Sequence, residues 1–214
     1  RKKRNGESLS KEEILFLVSS YTKNKIPDYQ FSAFLMAVYL KGMNITETAA
    51  LTEAMLYSGK VIDADTGQPI EAAVVLGTWY KVTPTPAGGV SSYYDARETI
   101  TDMNGEFSIP GMGLRIMSNL APMNLLIFKS GYEHIGSIHW VSLKVDELLS
   151  KKIKWEGDKP VISIKKLTME ERKKHGPPSR PSAPIEKMKL LTGEINIERI
   201  GLGLTPFDVG GNNK

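Results

Sequence analysis

The chain has 214 residues, 41% hydrophobic and 24% charged, with a formal net charge of +4, which is ordinary for one large or two small globular domains. It contains no cysteine, so disulfides, thiolate zinc sites and cysteine catalysis are excluded, and no apolar run reaches the ~18–20 residues of a membrane span. Positive charge gathers in Lys151–Lys189, with 12 Lys and Arg against 5 Asp and Glu; without interleaved aromatic rings to stack on bases this reads as a solvated face, and no nucleic-acid partner is expected.

Arg1-Lys2-Lys3-Arg4 reads as a solvated basic start. Ser10-Lys-Glu-Glu13 fits a capping box, and Ile14, Leu15, Leu17, Val18 and Tyr21 then follow at helical spacing. Lys23-Asn24-Lys25 closes this helix with cations in its last turn. Pro27 and Asp28 open a second helix whose apolar face holds Phe31, Phe34, Leu35, Val38 and Tyr39, stopped by Gly42. Asn44-Ile-Thr-Glu47 is a second capping box, also a glycosylation sequon, and opens a third helix ended by Ser58-Gly59.

From Gly59 the period changes from helical to alternating. Gly59–Asp63 predicts a strand, Asp65-Thr-Gly67-Gln-Pro69 a turn, and Ala72–Leu76 through Tyr80 a second strand. Thr83–Ser92, rich in Pro, Gly and Ser, predicts a loop, and Asp95–Asp102 a third strand. Met103-Asn-Gly-Glu106 predicts a hairpin turn into a partner strand Phe107–Ile109. A loop over Gly111–Pro122 follows, then strands Asn124–Lys129, Gly136–Leu143 carrying Trp140, and Val161–Leu167. This spacing points to an antiparallel sandwich. Thr168-Met-Glu-Glu171 is a third capping box, Gly176–Pro184 an extended linker, and Ile185–Arg199 an amphipathic helix using Ile185, Met188, Leu191 and Ile195 that docks on its own domain or on a partner.

Chemistry is sparse. His134 and His139, with Glu133 adjacent, are too few ligands for a metal site, and no cofactor or metal is expected. Asp102-Met-Asn-Gly-Glu106 begins like a calcium loop, but its twelfth position is Gly113 rather than a bidentate Glu. No Gly-x-Ser-x-Gly elbow occurs, so no catalytic residue is assigned. Tyr80, Tyr93, Tyr94 and Trp140 are the candidate ligand or partner contacts, forming either a contact surface or a cover for the sandwich edge.

Two resemblances sit on these residues. "RKKRNGESLSKEEI", "IPDYQFSAFLMAVYLKGM" and "TETAALTEAMLYSG" resemble the N-terminal helical domain of thymidine and pyrimidine-nucleoside phosphorylases over residues 1–59. The resemblance implies a helical piece that packs across a dimer interface, with Phe31, Phe34, Leu35 and Val38 as the expected dimer contacts. The Lys-His-Ser-Thr-Gly-Gly phosphate loop of that family does not occur in the chain. "GKVIDADTGQPIEAAVV", "TDMNGEFSIPG" and "FKSGYEH" resemble the carboxypeptidase regulatory-like, transthyretin-like β-sandwich over residues 59–135, which implies a domain usually serving structure or contact. A natural fusion would join the two patterns at Gly59-Lys60, and so would an engineered or misassembled join.

The expected architecture is therefore α+β in two modules: a three-helix bundle (1–59), an antiparallel transthyretin-like β-sandwich (60–167), and a basic linker, amphipathic helix and irregular tail (168–214). The leading expectation is a non-catalytic binding or structural protein, offering Thr83–Tyr94 and Gly111–Pro122 to a protein partner and self-associating as a homodimer through the helical module. The alternative is an N-terminal fragment or split subunit of a pyrimidine-nucleoside phosphorylase without its phosphate-binding domain. The sandwich resemblance favours the cell envelope and the helical one the cytoplasm.

Overall fold

The computed structural model describes residues 1–22, 25–86, 88–112, 119–144, 151–156 and 159–208. The expectations at Lys23 and Asn24, at 113–118 of the second loop and at 209–214 of the tail fall outside these residues. The chain divides into two compact units, one holding Arg1–Tyr57 with residues 110–112, the other Ser58–Ile109 with 119–208.

The first unit is built from α1 (Lys11–Thr22), α2 (Asp28–Lys41) and α3 (Ile45–Ala54). α1 begins at the Ser10 box: the Glu13 amide donates to Ser10 Oγ (3.2 Å) and the Ser10 amide donates back to Glu13 Oε2 (2.9 Å). Asn44 and Glu47 close the same reciprocal pair at α3. Gly42 ends α2 at φ +70, its amide bonded to the Val38 carbonyl. Ile14, Val18 and Ala50 form the centre of this unit, with Leu9, Met43, Leu51, Ala54 and Met55 around it. The helical pattern stops earlier than expected. α3 ends at Ala54 and the first strand starts at Leu56, so Ser58-Gly59 lies inside a strand.

The second unit holds two four-stranded sheets. One has the order β4 (Glu106–Pro110), β1 (Leu56–Asp63), β8 (Lys159–Ile164), β7 (Ile153–Glu156). The other has the order β3 (Gly88–Ile100), β2 (Val74–Thr85), β5 (Asn124–Phe128), β6 (Ile135–His139). α4 (Met169–His175) and α5 (Lys189–Gly201) follow. The architecture is thus α+β, a helical bundle with two sheets. It is not wholly antiparallel: β1 and β8 run parallel, Lys60 opposite Val161 through Asp63 opposite Ile164.

The core explains why β2 reads as a continuous apolar run. Val74, Leu76, Leu126 and Phe128 on one face pack against Met188, Leu191 and Ile195 of the α5 segment. Val75, Leu125 and Ile127 on the other face are also buried, as are Val61, Phe107, Ile109, Ile162 and Ile164 of the other sheet. A strand covered on both faces loses the alternation a half-exposed one shows.

Several expected elements differ. Thr83–Ser92 is not a loop: β2 and β3 stay paired to Thr85 opposite Gly88. The Pro84 ring is tolerated because beyond Val82, whose amide bonds the Asn119 carbonyl, no ladder among the described residues needs a donor on the other edge of β2. The turn at Asp102–Glu106 forms, with Asp102 Oδ1 accepting from the Asn104 and Glu106 amides. It does not make a hairpin, however. β3 pairs with β2, while β4 lies beside β1 in the other sheet, so the turn is a corner between sheets. Trp140 does not continue β6: its amide bonds the Met123 carbonyl (2.7 Å) and it opens a 3-10 turn over Trp140–Lys144. β7 went unforeseen, because the Lys-rich stretch around it masks its short alternation.

Candidate functional site

The second unit carries a cleft of about 420 Å³ over the sheet of β2, β5 and β6. The Pro178–Ser182 part of the linker forms one wall, and Tyr80, Leu126, His134 and Ser137 form the floor and the opposite wall. Tyr80 reaches it because the β2–β3 ladder shifts register between Trp79 and Tyr80, which re-aims the strand. Its ring meets Tyr93 edge-on, centroids 6.4 Å apart.

His134 is half-buried with its ring edge-on to Phe128. Burial pushes its pKa below the usual 6.5, His175 and Lys152 push the same way, and Glu133 opposes them. The imidazole is therefore neutral at pH 7, able to donate from one nitrogen and accept at the other. Arg180 brings the positive charge. Its guanidinium lies 4.2 Å above the Phe207 ring, which Arg199 also approaches at 4.2 Å, and its Nη1 is shut from solvent without a hydrogen-bond partner. Among the described residues no carboxylate lines the cleft, and no cluster of three or more His, Asp or Glu could hold a metal ion. The arrangement can bind and orient; it has no paired nucleophile and base.

Of the candidate contacts, Tyr80 and Tyr93 come together, and Tyr80 lines the cleft. Tyr94, next along β3, and Trp140, half-buried at the 3-10 turn, are not among its lining residues. In the helical unit Phe31 is fully buried, stacked on Tyr21 at 3.9 Å, and Phe34, Leu35 and Val38 are half-buried. The surface that remains open on α2 is a different stripe, Tyr29, Met36, Tyr39 and Leu40, with Tyr39 84% exposed. Arg180 and His134 could not have been paired from sequence, since nothing local says that the linker folds back over the sheet.

Two buried ion pairs hold these surfaces in place. Lys3, expected in water, is 6% exposed and donates to both oxygens of Glu47, itself 1% exposed, at 2.8 Å. The Leu9 and Asn44 amides also donate to Glu47. In the second unit Arg172 of α4 donates through Nε and Nη2 to the two oxygens of Glu198 on α5 (2.8 and 2.7 Å), and Ser130 Oγ and the Gly131 amide bond the same carboxylate. For both Glu47 and Glu198 burial opposes ionisation, but the cation and the converging donors win, and each pKa is held below the usual 4.5.

A family model described as the glycosyl transferase family helical bundle domain matches residues 1–59. The pyrimidine-nucleoside phosphorylase of Geobacillus stearothermophilus is 58% identical over 62 residues, 29% of this chain and 14% of that protein. That of Staphylococcus haemolyticus (strain JCSC1435) gives the same identity over the same shares. The pyrimidine-nucleoside phosphorylase of Staphylococcus epidermidis (strain ATCC 12228 / FDA PCI 1200) is 29% identical over 195 residues, 77% of this chain and 45% of that protein. The helical unit is thus similar to the N-terminal helical domain of pyrimidine-nucleoside phosphorylase. The matched part spans less than half the length of these curated relatives. The leading expectation, a non-catalytic binding or structural protein, is overturned: a phosphorylase aligns over 77% of the chain, well past the helical segment. Among the described residues no helix is long and apolar enough to cross a membrane.

Proposed function

We propose that this chain carries the helical-bundle part of a pyrimidine-nucleoside phosphorylase, with phosphate-dependent release of pyrimidines from nucleosides as the activity of the assembled protein. The observation that carries this reading is the 58% identity over 62 residues with the Geobacillus stearothermophilus phosphorylase. The longer Staphylococcus epidermidis alignment supports it. The role of this part is structural within the enzyme: it presents the α2 stripe of Tyr29, Met36, Tyr39 and Leu40 for self-association, an apolar surface a monomer would rarely leave in water. Groups that hold phosphate would come from outside this chain's described residues. The test puts residues 1–59 in place of the matched segment of the Geobacillus stearothermophilus enzyme and measures phosphate-dependent pyrimidine release, which should persist.

We also propose that the sheet unit is a carboxypeptidase regulatory-like, transthyretin-like sandwich appended to this helical part. Two four-stranded sheets, and a corner turn at Asp102–Glu106 that carries the chain from one to the other, support it.

A further inference from the structure

Arg172 and Arg180 sit eight positions apart and have opposite circumstances. Arg172 is saturated by Glu198 through two hydrogen bonds. Arg180 has no carboxylate partner among the described residues: its guanidinium stacks on Phe207, and its Nη1 is closed from solvent without a hydrogen-bond partner. An arginine stacked on a ring keeps its in-plane N–H fork for an oxyanion, the geometry that carboxylates and phosphates match. A half-buried cation without a counter-charge is a costly element to keep, and here it borders a cleft of about 420 Å³, within the size range of small-molecule sites. The rest of the lining fits the same ligand. Ser137, Ser179 and Ser182 add hydroxyls, His134 a neutral imidazole, and Tyr80 with Leu126 a flat apolar wall, with no carboxylate to repel an anion.

We propose that this cleft binds a small molecule bearing an anionic group beside a planar ring, the carboxylate or phosphate held by Arg180 and the ring laid against Tyr80. The site lies wholly in the sheet unit and does not rest on the phosphorylase reading.

The test is calorimetric titration of the full chain with phenyl phosphate, benzoate, inorganic phosphate and neutral benzyl alcohol. At least one of the two aryl anions should bind with a Kd of about 1 mM or tighter, and at least ~10-fold tighter than both benzyl alcohol and inorganic phosphate. Whichever aryl anion binds tighter assigns the ligand as a phosphate ester or a carboxylate. Ser137 is exposed on β6 at the rim, so its replacement leaves the core intact. Ser137→Glu should weaken binding at least ~10-fold and Ser137→Lys should leave it equal or tighter, as charge at the mouth dictates. Arg180→Met should abolish it. No binding of either aryl anion, equal binding of benzyl alcohol, or equal affinity in Ser137→Glu and Ser137→Lys would overturn the proposal.

Discussion

Glu47 accepts from Lys3 at both oxygens and from the Leu9 and Asn44 amides, so one carboxylate fixes the basic start, the entry to α1 and the cap of α3. Removing its charge strands the Lys3 ammonium in a buried site. Glu47→Gln should therefore cost about 3–5 kcal/mol, read by urea denaturation followed by far-UV circular dichroism. Tryptophan fluorescence will not see this loss directly, because Trp79, Trp140 and Trp155 all lie outside Arg1–Tyr57. The pH dependence has a definite sign. The folded pKa of Glu47 lies below its ordinary 4.5, so its stabilisation is complete above that value and is lost as pH falls through the folded pKa. The circular-dichroism midpoint should drop between pH 6 and pH 3 in the parent chain and less so in Glu47→Gln. Gly105 gives a second residue-scale check. It sits at φ +72, and a Cβ there would collide with the Val61 carbonyl oxygen. Gly105→Ala should cost at least about 2 kcal/mol, measured by tryptophan fluorescence. The Gly105 turn was legible in Asp102-Met-Asn-Gly-Glu106, since turn chemistry is local. The burial of Lys3 was not: its partner is 44 positions away, and a basic start is normally solvated.

At the scale of elements, the three capping boxes were legible for the same local reason. Each needs only a Ser, Thr or Asn and a Glu three positions on, and in α4 the Thr168 amide and hydroxyl with Lys165 hold Glu171 at a pKa of about 2. Composition misled in two ways: Pro and Gly read as loop in Thr83–Ser92 although these residues extend a hairpin arm, and the strands flanking Asp102–Glu106 pair non-locally in different sheets. The docking of α5 on its own unit follows from the spacing of Met188, Leu191 and Ile195, all buried against β2 and β5. Leu191→Ala should cost about 2–5 kcal/mol in a fluorescence-monitored urea transition. The α2 surface carries a different expectation. The apolar face was visible in the sequence, but which residues it turns inward was not, and Phe31 went to the core against Tyr21. If Tyr39 and Leu40 face a second copy, Tyr39→Glu with Leu40→Lys should convert a sedimenting dimer to monomer without lowering the melting temperature by more than a few degrees. A parent chain that sediments as a monomer at 100 times the assay concentration, as an order-of-magnitude range, would exclude the self-association.

At the scale of the whole molecule, the sequence divides because its hydrophobic period changes, and the change falls at Met55, between the end of α3 and the start of β1. The helical side carries the strong likeness to pyrimidine-nucleoside phosphorylases, and the longer alignment reaches into the sheet side. Periodicity shows where one kind of element gives way to another; it does not say whether the second kind serves the same enzyme, which is why the functional expectation drawn from the sheets alone failed. The central claim is that residues 1–59 are a working phosphorylase part. Its most direct measurement is phosphate-dependent pyrimidine release by the Geobacillus stearothermophilus enzyme carrying residues 1–59 in place of its own matched segment. kcat/KM should stay within about tenfold of the parent, a change of no more than ~1.4 kcal/mol in transition-state stabilisation. A chimera that folds and associates as the parent does but releases no pyrimidine would contradict it.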